Sequence, residues 1–528
     1  MSLFGNKNCA IKPRPAITRI ISQPVAKKPA STPLPSKTKS QNTVHRGRDS
    51  TSIARSSPSG SSASAHRSRT STPAGGERQT DASKLHPRPK RPKLQRASPS
   101  HQPIFDSDDD DEASSSDDAA SHKRRKMGGV QTVVDSKRSL RSRKAFSNQD
   151  GGLFPMIHAA DLVAPLSRSN PNPSQGNFTV KLKYPSASQR ERYDLQGGKD
   201  VINSIQEIID VASIVTDFYM TEKQAEPFRD PNNGYIRQLE KARNNLTNKK
   251  KGDGRPDVET LLNDFKTAVR NYNVAIDKLR TDGSVEKNLD DKHHLPFKMV
   301  RMITTQAYDR TVSPRVDDLK KYEAGSNNVY GELRPKLVSE ILGEADLKSD
   351  HVFVDLGSGV GNVVLQAALE FGCESWGCEM MVNAYTLADA YKKEFTARCR
   401  LWGIAPGSVR LEHGDFLENA KIHSALERAD VILVNNQVFS SDLNRALVDL
   451  FLDLKDGCKI ISLKPFVPKD HEITTRNIND AVNNLKVIKK GAYSGQGDAV
   501  SWSGGGGDYF ITVKDAAHMR EYAEALGI

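Results

Sequence analysis

The sequence has few aromatic residues, few cysteines and no long apolar run, and each shortage excludes a class of protein. Phe, Trp and Tyr make up 6% of the 528 residues and apolar residues 36%, which is low for a chain folded throughout. The five cysteines form no C-x-x-C pair, so the spacing of a zinc or redox site is missing. No apolar run reaches the length of a membrane span, and the N-terminus lacks a signal-peptide core. We therefore predict a soluble intracellular protein without a metal site.

Positive charge is concentrated near the N-terminus. Residues 1–150 contain 29 Lys and Arg against 13 Asp and Glu, whereas the rest of the chain contains 48 against 52. The region is rich in Ser and Pro, so it cannot bury enough apolar surface to offset its chain entropy, and we predict disorder over residues 1–175. Basic runs at 88–93, 123–126 and 137–144 favour nuclear import and contact with nucleic-acid phosphates. The alternative is a charged tail that only keeps the chain soluble.

A mainly helical subdomain is predicted at residues 176–300. Alternate apolar residues from Asn177 indicate a strand. Apolar residues then recur at three- and four-residue steps over 201–215 and 258–279, which predicts two amphipathic helices, the second opened by Pro256. The apolar stripes of both helices are interpreted as packing surfaces.

The stretch that carries the chemistry lies in the third predicted domain, residues 301–528. A short apolar strand, 352–356, runs into three glycines at alternate positions and then into a helical pattern. Glycine lets the backbone approach a ligand closely, and a turn before a helix start aims free N–H groups at an anion. The spacing is neither that of dinucleotide sites nor that of a P-loop. The motif residues predicted to bind a cofactor are Asp355, Gly357, Ser358, Gly359, Gly361 and Asn362.

With its leading aspartate, the D-x-G-x-G-x-G run resembles the first motif of the class I S-adenosylmethionine-dependent methyltransferases, which have an α/β Rossmann-like fold. Glu379 ends the next strand about 20 residues after the glycines, where a carboxylate accepts hydrogen bonds from ribose hydroxyls. Asp415 and Phe416 follow the third strand, where a carboxylate and a ring suit adenine. Asn435 follows the fourth strand, 431–434, and is expected to face the methyl group that is transferred.

The loop before the glycine motif contains the run KKYEAGSNNVYGEL, and a long loop beside a cofactor site is often a binding loop. The run resembles the cofactor-covering loop of the Dot-one (disruptor of telomeric silencing) family of histone lysine methyltransferases. An ordinary surface connection is the alternative. The residues that this resemblance assigns to the cofactor are Tyr322, Tyr330, Gly331, Glu332 and Leu333.

Two further stretches resemble the same family. The family carries N-N-F-x-F after its fourth strand, and this sequence departs from it at Gln437. The C-terminal run 500–513 resembles the family's closing hairpin. We hypothesise that an aromatic channel lowers the pKa of the substrate lysine by desolvating its cation. The catalytic residues implied by the resemblance are Asn435, Tyr509, Trp502, Phe439 and Tyr330.

The resemblance implies a fungal-type, non-SET enzyme that methylates a lysine in the globular core of histone H3 within nucleosomes. Its expected cofactor is S-adenosylmethionine and its expected location is chromatin in the nucleus. The basic N-terminal region is expected to hold DNA. This binding should weaken with salt, as counterion release requires. A ubiquitinated histone is a further expected partner. Roles in telomeric silencing and the DNA-damage response are expected from the family alone.

Three other functions are weighed against this one. A nucleic-acid methyltransferase with a basic arm would carry [DN]-P-P-[YFW] after the fourth strand, and residues 435–439 contain no proline. A chromatin scaffold with a degenerate fold would have lost Asp355, the glycines or Glu379, and all are present. An arginine methyltransferase would carry two glutamates on one loop, and no such pair follows the fourth strand.

Overall fold

The structure is a computed structural model, and several features predicted from the sequence lie outside the residues it describes. These are the basic runs at 88–93 and 123–126, Pro256 and Tyr322. None of the helices in the described part of the chain is both long and apolar enough to cross a membrane. The described residues are 135–147, 152–162, 178–195, 202–247, 257–320, 327, 329–494, 499–502 and 504–527.

Helices make up most of the described chain before the glycine motif. The two predicted amphipathic helices are confirmed as α3 and α6, and side chains cap both. Asn203 accepts from the N–H of Gln206 at 3.2 Å, and Asp257 accepts from Thr260 at 2.6 Å. In chain order the helices α1 to α14 are Arg143–Phe146, Ala159–Leu162, Ser204–Tyr219, Glu222–Arg229, Tyr235–Thr247, Val258–Thr281, Ser284–Asp290, Phe297–Thr311, Pro335–Glu344, Asn362–Glu370, Val382–Trp402, Ala420–Leu426, Ser441–Leu450 and Ala516–Leu526.

The strands form two sheets in the described part of the chain. Strands β1 and β2 form a small antiparallel pair beside the helices. The other seven form one sheet in the order β5-β4-β3-β6-β7-β9-β8. In this sheet β9 is antiparallel to both of its neighbours, β7 and β8, and the other strand pairs are parallel. In chain order the strands β1 to β9 are Thr179–Leu182, Glu191–Asp194, Val352–Leu356, Glu374–Glu379, Val409–His413, Val431–Val434, Lys459–Ser462, Leu485–Tyr493 and Gly507–Lys514. Short 3₁₀ helices lie at Ser313–Lys320, Phe451–Asp453 and Ala481–Asn484.

The strand order confirms the predicted fold class. The five parallel strands follow the doubly wound order, which reverses between β3 and β6. Apolar side chains alternate between the two faces of the sheet, because successive residues of a strand point to opposite sides. Val354 packs on the face covered by α12 and α13, whereas Phe353 packs on the face covered by α9 and α10. Both faces are therefore buried, as a parallel sheet requires.

The helical region and the sheet domain share one core. The cluster that holds α3 and α6 continues into α8, α10 and α11. At its centre the fully buried Glu191 of β2 pairs with Arg310 of α8 at 2.7 Å and with Arg398 of α11 at 2.5 Å. Removing one partner of a buried pair leaves an uncompensated charge, so this network ties the helical region to the sheet domain strongly.

The prediction of disorder over 1–175 is corrected for two segments. Residues 135–147 and 152–162 are folded against the rest of the chain, and Leu140 is 1% exposed. The buried guanidinium of Arg138 donates to the carbonyls of Leu369 and Glu370, which end helix α10. Neither segment has helical periodicity, and each is held by contacts with distant parts of the chain. The sequence therefore offered no local signal of order.

Candidate active site

A cavity of about 500 Å³ opens where the parallel strands end. It lies at the switch point between β3 and β6, where the crevice at the carboxyl ends of the strands typically binds ligands. Its volume falls in the usual range for small-molecule sites. The predicted site residues that line it are Tyr330, Gly331, Glu332, Leu333, Asp355, Gly357, Ser358, Gly359, Asn362, Glu379, Asp415, Phe416, Asn435 and Phe439.

The N–H groups of the glycine turn are already used within the protein. Those of Gly357 and Ser358 donate to the carbonyl of Cys378 at 3.0 and 2.9 Å. That of Gly359 donates to the carboxylate of Glu379 at 2.8 Å. The prediction that this turn presents free N–H donors is therefore wrong for these three groups.

The glycines matter instead because they carry no side chain. Gly359 has φ +55°, and a Cβ there would lie 2.9 Å from the ring of Tyr330. A Cβ on Gly357, at φ +87°, would lie 3.7 Å from the ring of Phe439. Gly361 has φ +79° and precedes α10 without lining the cavity. The turn thus lets the ring of Tyr330 approach the backbone at Gly359, whereas at Gly357 it is the left-handed φ that favours glycine.

Two carboxylates near the ends of β3 and β4 lie close to the turn. Glu379 accepts from Gly359 through Oε2 and from the N–H of Met381 through Oε1 at 2.7 Å, which fixes its orientation. Burial raises the pKa of Glu379 above its usual value, and these backbone donors oppose the rise. Burial, with the nearby charge of Glu379, raises the pKa of Asp355 to about 8.

The end of β5 supplies a carboxylate and a ring. Asp415 accepts from the N–H of Leu417 at 2.8 Å, which fixes one of its oxygens. The ring of Phe416 stacks on that of Phe439, with 6.4 Å between centroids. An acceptor beside an aromatic face is the arrangement that a purine base requires.

The segment before α9 closes another side of the cavity. Glu332 accepts from the hydroxyls of Tyr330 and Tyr308 at 2.6 and 3.0 Å. Its own N–H donates to the hydroxyl of Ser501 at 2.8 Å. Burial raises the pKa of Glu332, while the two tyrosine hydroxyls and the charge of Arg334 act to lower it. The carboxylate is therefore held by residues from two parts of the chain, and the backbone of Glu332 by a third.

The two asparagines after β6 have different surroundings. Asn435 donates to the carbonyl of Gly331 at 3.2 Å, while its buried Oδ1 has no hydrogen-bond partner among the residues that the structure describes. Asn436 is fully buried and bridges to the next loop, since its Oδ1 accepts from Leu463 and Lys464 at 3.0 and 2.8 Å. A buried acceptor without a partner is costly, so Asn435 is the better candidate for contact with a ligand.

Trp502 and Tyr509, predicted to line an aromatic channel, are not among the described residues that line the cavity. The ring of Trp502 lies on Gly331, where a Cβ would be 2.6 Å from it, so Trp502 supports the cavity wall from behind. Tyr509 does not line the cavity: its buried ring packs on Gly491 and its hydroxyl donates to Glu344. The place of Tyr509 in the substrate channel stays a prediction.

The departure from the family pattern at Gln437 lies outside the cavity. This side chain is exposed, whereas Phe439, two residues later, lines the cavity. Several other lining residues escaped the sequence reasoning. Two of them, Met380 and Met381, directly follow Glu379, and the position of that residue at a strand end could have identified them. The lining residues that were missed include Leu319, Met380, Met381, Asn383, Ala384 and Leu443.

The cavity carries acidic charge. Four carboxylates line it, and the described lining includes no lysine, arginine or histidine. A phosphate-bearing ligand would be repelled here, whereas a cation would be attracted more strongly than in water. The acidic residues are Glu332, Asp355, Glu379 and Asp415.

Comparison with known proteins identifies the family. The family model described as "Histone methylation protein DOT1" matches residues 308–514. A histone-lysine N-methyltransferase of Emericella nidulans, named H3 lysine-79 specific, is 45% identical over 404 residues, which cover 75% of this chain and 77% of that one. One of Gibberella zeae with the same name is 45% identical over 439 residues, which cover 82% and 85%. The chain belongs to the DOT1 histone methylation family.

Membership of the DOT1 family confirms the resemblance seen in the loop, in the run after β6 and in the C-terminal run 500–513. Among solved structures, an RNA methyltransferase of Salinibacter ruber in complex with S-adenosyl-L-homocysteine aligns with 34% of this chain and 92% of its own. Its sequence identity is 18% and its TM-score is 0.23. The fold class rests on the strand order.

Proposed function

We propose that the protein transfers methyl groups from S-adenosylmethionine to lysine-79 of histone H3, as the names of its relatives state for them. The observation that carries this proposal is the acid-lined cavity at the switch point, with the unpartnered Oδ1 of Asn435 in its wall. Such a cavity attracts cations, and both the sulfonium donor and a lysine that arrives as its ammonium are cations. The lysine must lose its proton before its nitrogen can accept the methyl group.

The charges and shapes of the cavity fit S-adenosylmethionine. Glu379 is suited to the ribose hydroxyls, and Asp415 with Phe416 to the adenine. Asp355 and Glu332 are suited to the amino group of the methionine part, because buried carboxylates attract a cation strongly. When bound, the cofactor supplies a methyl group on a positively charged sulfur. The Oδ1 of Asn435 would then accept a hydrogen bond from the N–H of an amine.

The chain's own residues contribute positioning and exclusion of water. Asn435 accepts from an amine and so orients it, since near-attack geometry can supply much of a rate enhancement. Phe439 and Tyr330 lie against the glycine turn and shield the reacting groups from water. A desolvated lysine has a lowered pKa, so the neutral amine becomes accessible without a paired base. Trp502 contributes by holding the backbone of Gly331 in place.

The nucleosome is the proposed form of the substrate, with DNA held by the basic N-terminal region. Residues 135–147 support this proposal, because Arg138 and Leu140 dock that region on the catalytic domain. Arg143 and Lys144 of the same segment remain exposed. The basic chain that precedes the segment is thereby tethered to the enzyme. Nuclear location and response to a ubiquitinated histone are proposed on the basis of the family.

The test is transfer of radiolabelled methyl from S-adenosylmethionine to nucleosomes, free histone H3 and naked DNA in parallel. The proposal predicts label in histone H3, chiefly on nucleosomes. A Gly357→Arg variant, whose side chain would enter the cavity beside Phe439, is expected to lose the label. Label in DNA alone would instead support the nucleic-acid methyltransferase.

A further inference from the structure

We propose that Tyr308 of helix α8 is a positioning residue for the cofactor site and that it acts through Glu332. This inference rests on the proposed function. Tyr308 is not among the described residues that line the cavity, and no sequence motif includes it. Its hydroxyl nevertheless donates to Oε1 of Glu332 at 3.0 Å, and Glu332 lines the cavity.

Glu332 receives two donors on one oxygen. The hydroxyl of Tyr330 also donates to its Oε1, at 2.6 Å. Hydrogen bonds to a charged acceptor are stronger than neutral ones, so the pair restricts the carboxylate to one orientation. Tyr330 belongs to the same loop as Glu332 and would move with it. Tyr308 belongs to the helical region and is the donor that ties the carboxylate to the rest of the fold.

Helix α8 holds Tyr308 rigidly. The ring of Tyr308 packs edge-to-face on Tyr391, with 5.7 Å between centroids. Two residues later, the fully buried Arg310 pairs with Glu191 and Glu207, each at 2.7 Å. Rotation of the helix would break these buried ion pairs, which is strongly unfavourable. The buried network of the helical region therefore fixes the position of a donor at the cofactor site.

The contact also affects the charge that the cavity presents. Burial raises the pKa of Glu332, and the hydroxyls of Tyr330 and Tyr308 and the charge of Arg334 lower it. The other titratable group that faces Glu332 from a packed element is Tyr391 of α11. Without the hydroxyl of Tyr308, the pKa of Glu332 rises further. The carboxylate then becomes neutral at a higher pH and attracts a cationic ligand less.

The experiment is calorimetric binding of S-adenosylmethionine to the full chain across pH 6 to 9, with Tyr308→Phe as the variant. We expect binding about tenfold weaker at the acidic end, the size of one lost hydrogen bond to a charged group. The difference should shrink as pH rises, because the acid limb of the affinity profile moves to higher pH. In methyl transfer, KM for the cofactor should rise while kcat stays within about twofold.

Tyr391→Phe is the matched control. It removes a hydroxyl from the same aromatic pair, but that hydroxyl donates to the backbone carbonyl of Thr304 at 3.1 Å and not to Glu332. Its affinity profile should keep the wild-type shape. In a Glu332→Gln background, Tyr308→Phe should add less than about twofold, because contacts acting through one group are not additive.

Three results would overturn the assignment. One is unchanged affinity of Tyr308→Phe at every pH. Another is a uniform loss that Tyr391→Phe reproduces, which would indicate a purely structural role. A full additional loss in the Glu332→Gln background would show that Tyr308 acts by another route. Absence of cofactor binding by the unaltered chain is a separate result, which would overturn the proposed function and this assignment with it.

Discussion

The carboxyl ends of the parallel strands and the antiparallel pair β8–β9 place their polar and aromatic side chains differently. Glu379 ends β4 and Asn435 directly follows β6, and both line the cavity. In β9, Tyr509 lies in the apolar core beside α9 and donates to Glu344. One region faces the ligand cavity directly, whereas the other supports it from behind.

The difference teaches that topology alone places residues in the parallel region. Parallel strands all end at one edge, so whatever follows them meets there. In β9 the side chains alternate between faces, and the pairing with β8 contains an irregularity between Val487 and Lys489. A shift by one residue moves a side chain to the opposite face. The irregularity lies in β8, so the face on which Tyr509 lies follows from the register of β9, which a short motif does not specify.

The largest effect is expected at the carboxyl ends of the parallel strands. Asn435→Ala removes the unpartnered acceptor of the cavity, so methyl transfer should fall by about a hundredfold through lost positioning. Gln437→Ala is the matched control, because that residue is exposed and lies off the cavity. Transfer rates at saturating cofactor measure both. Equal rates for Asn435→Ala and the unaltered chain would remove Asn435 from the reaction.

A smaller loss is expected from Gly359→Ala. The new Cβ would lie 2.9 Å from the ring of Tyr330, so cofactor affinity should fall by about tenfold, which is the size of one lost hydrogen bond. Gly457→Ala is the control, because Gly457 has φ +86° with nothing within 4 Å of the added Cβ. Both variants carry the backbone strain, of about 1 kcal/mol. Similar affinities in the two variants would show that the clash with Tyr330 is unimportant.

The third prediction concerns pH. Asp355 ionises near pH 4 in the unfolded chain and at about 8 in the folded one, so the folded state binds more protons between these values. The free energy of unfolding without cofactor should therefore fall as pH rises through this window. Asp355→Asn should flatten that fall, as urea unfolding at several pH values would measure. Parallel curves for the two proteins would contradict the raised pKa.

The smallest effect on activity is expected on the β9 side. Tyr509→Phe removes the hydrogen bond to Glu344, which should cost about 1 kcal/mol of stability and change methyl transfer by less than twofold. Thermal unfolding and transfer rates provide the two readouts. A large loss of transfer in a stable Tyr509→Phe protein would support the predicted place of this residue in the substrate channel and contradict the contrast between the two regions.

The sequence predicted most of the sheet and much of the cavity. Strands β3 and β6 begin and end at the predicted residues, because a buried parallel strand is a continuous apolar run between clear turn signals. It did not predict Tyr308, which meets Glu332 only through the packing of α8 on the sheet domain. Nor did the sequence predict that residues 135–147 are folded, because they contact residues more than a hundred positions away in the chain.

The central claim is that the cavity at the carboxyl ends of β3 to β6 is where a histone lysine meets S-adenosylmethionine. The most direct test is mass spectrometry of histone H3 after incubation of nucleosomes with S-adenosylmethionine and either the unaltered chain or Asn435→Ala. The account predicts methyl groups on lysine-79 of histone H3 with the unaltered chain and almost none with the variant. Methylation at other residues, or equal methylation by both proteins, would contradict it.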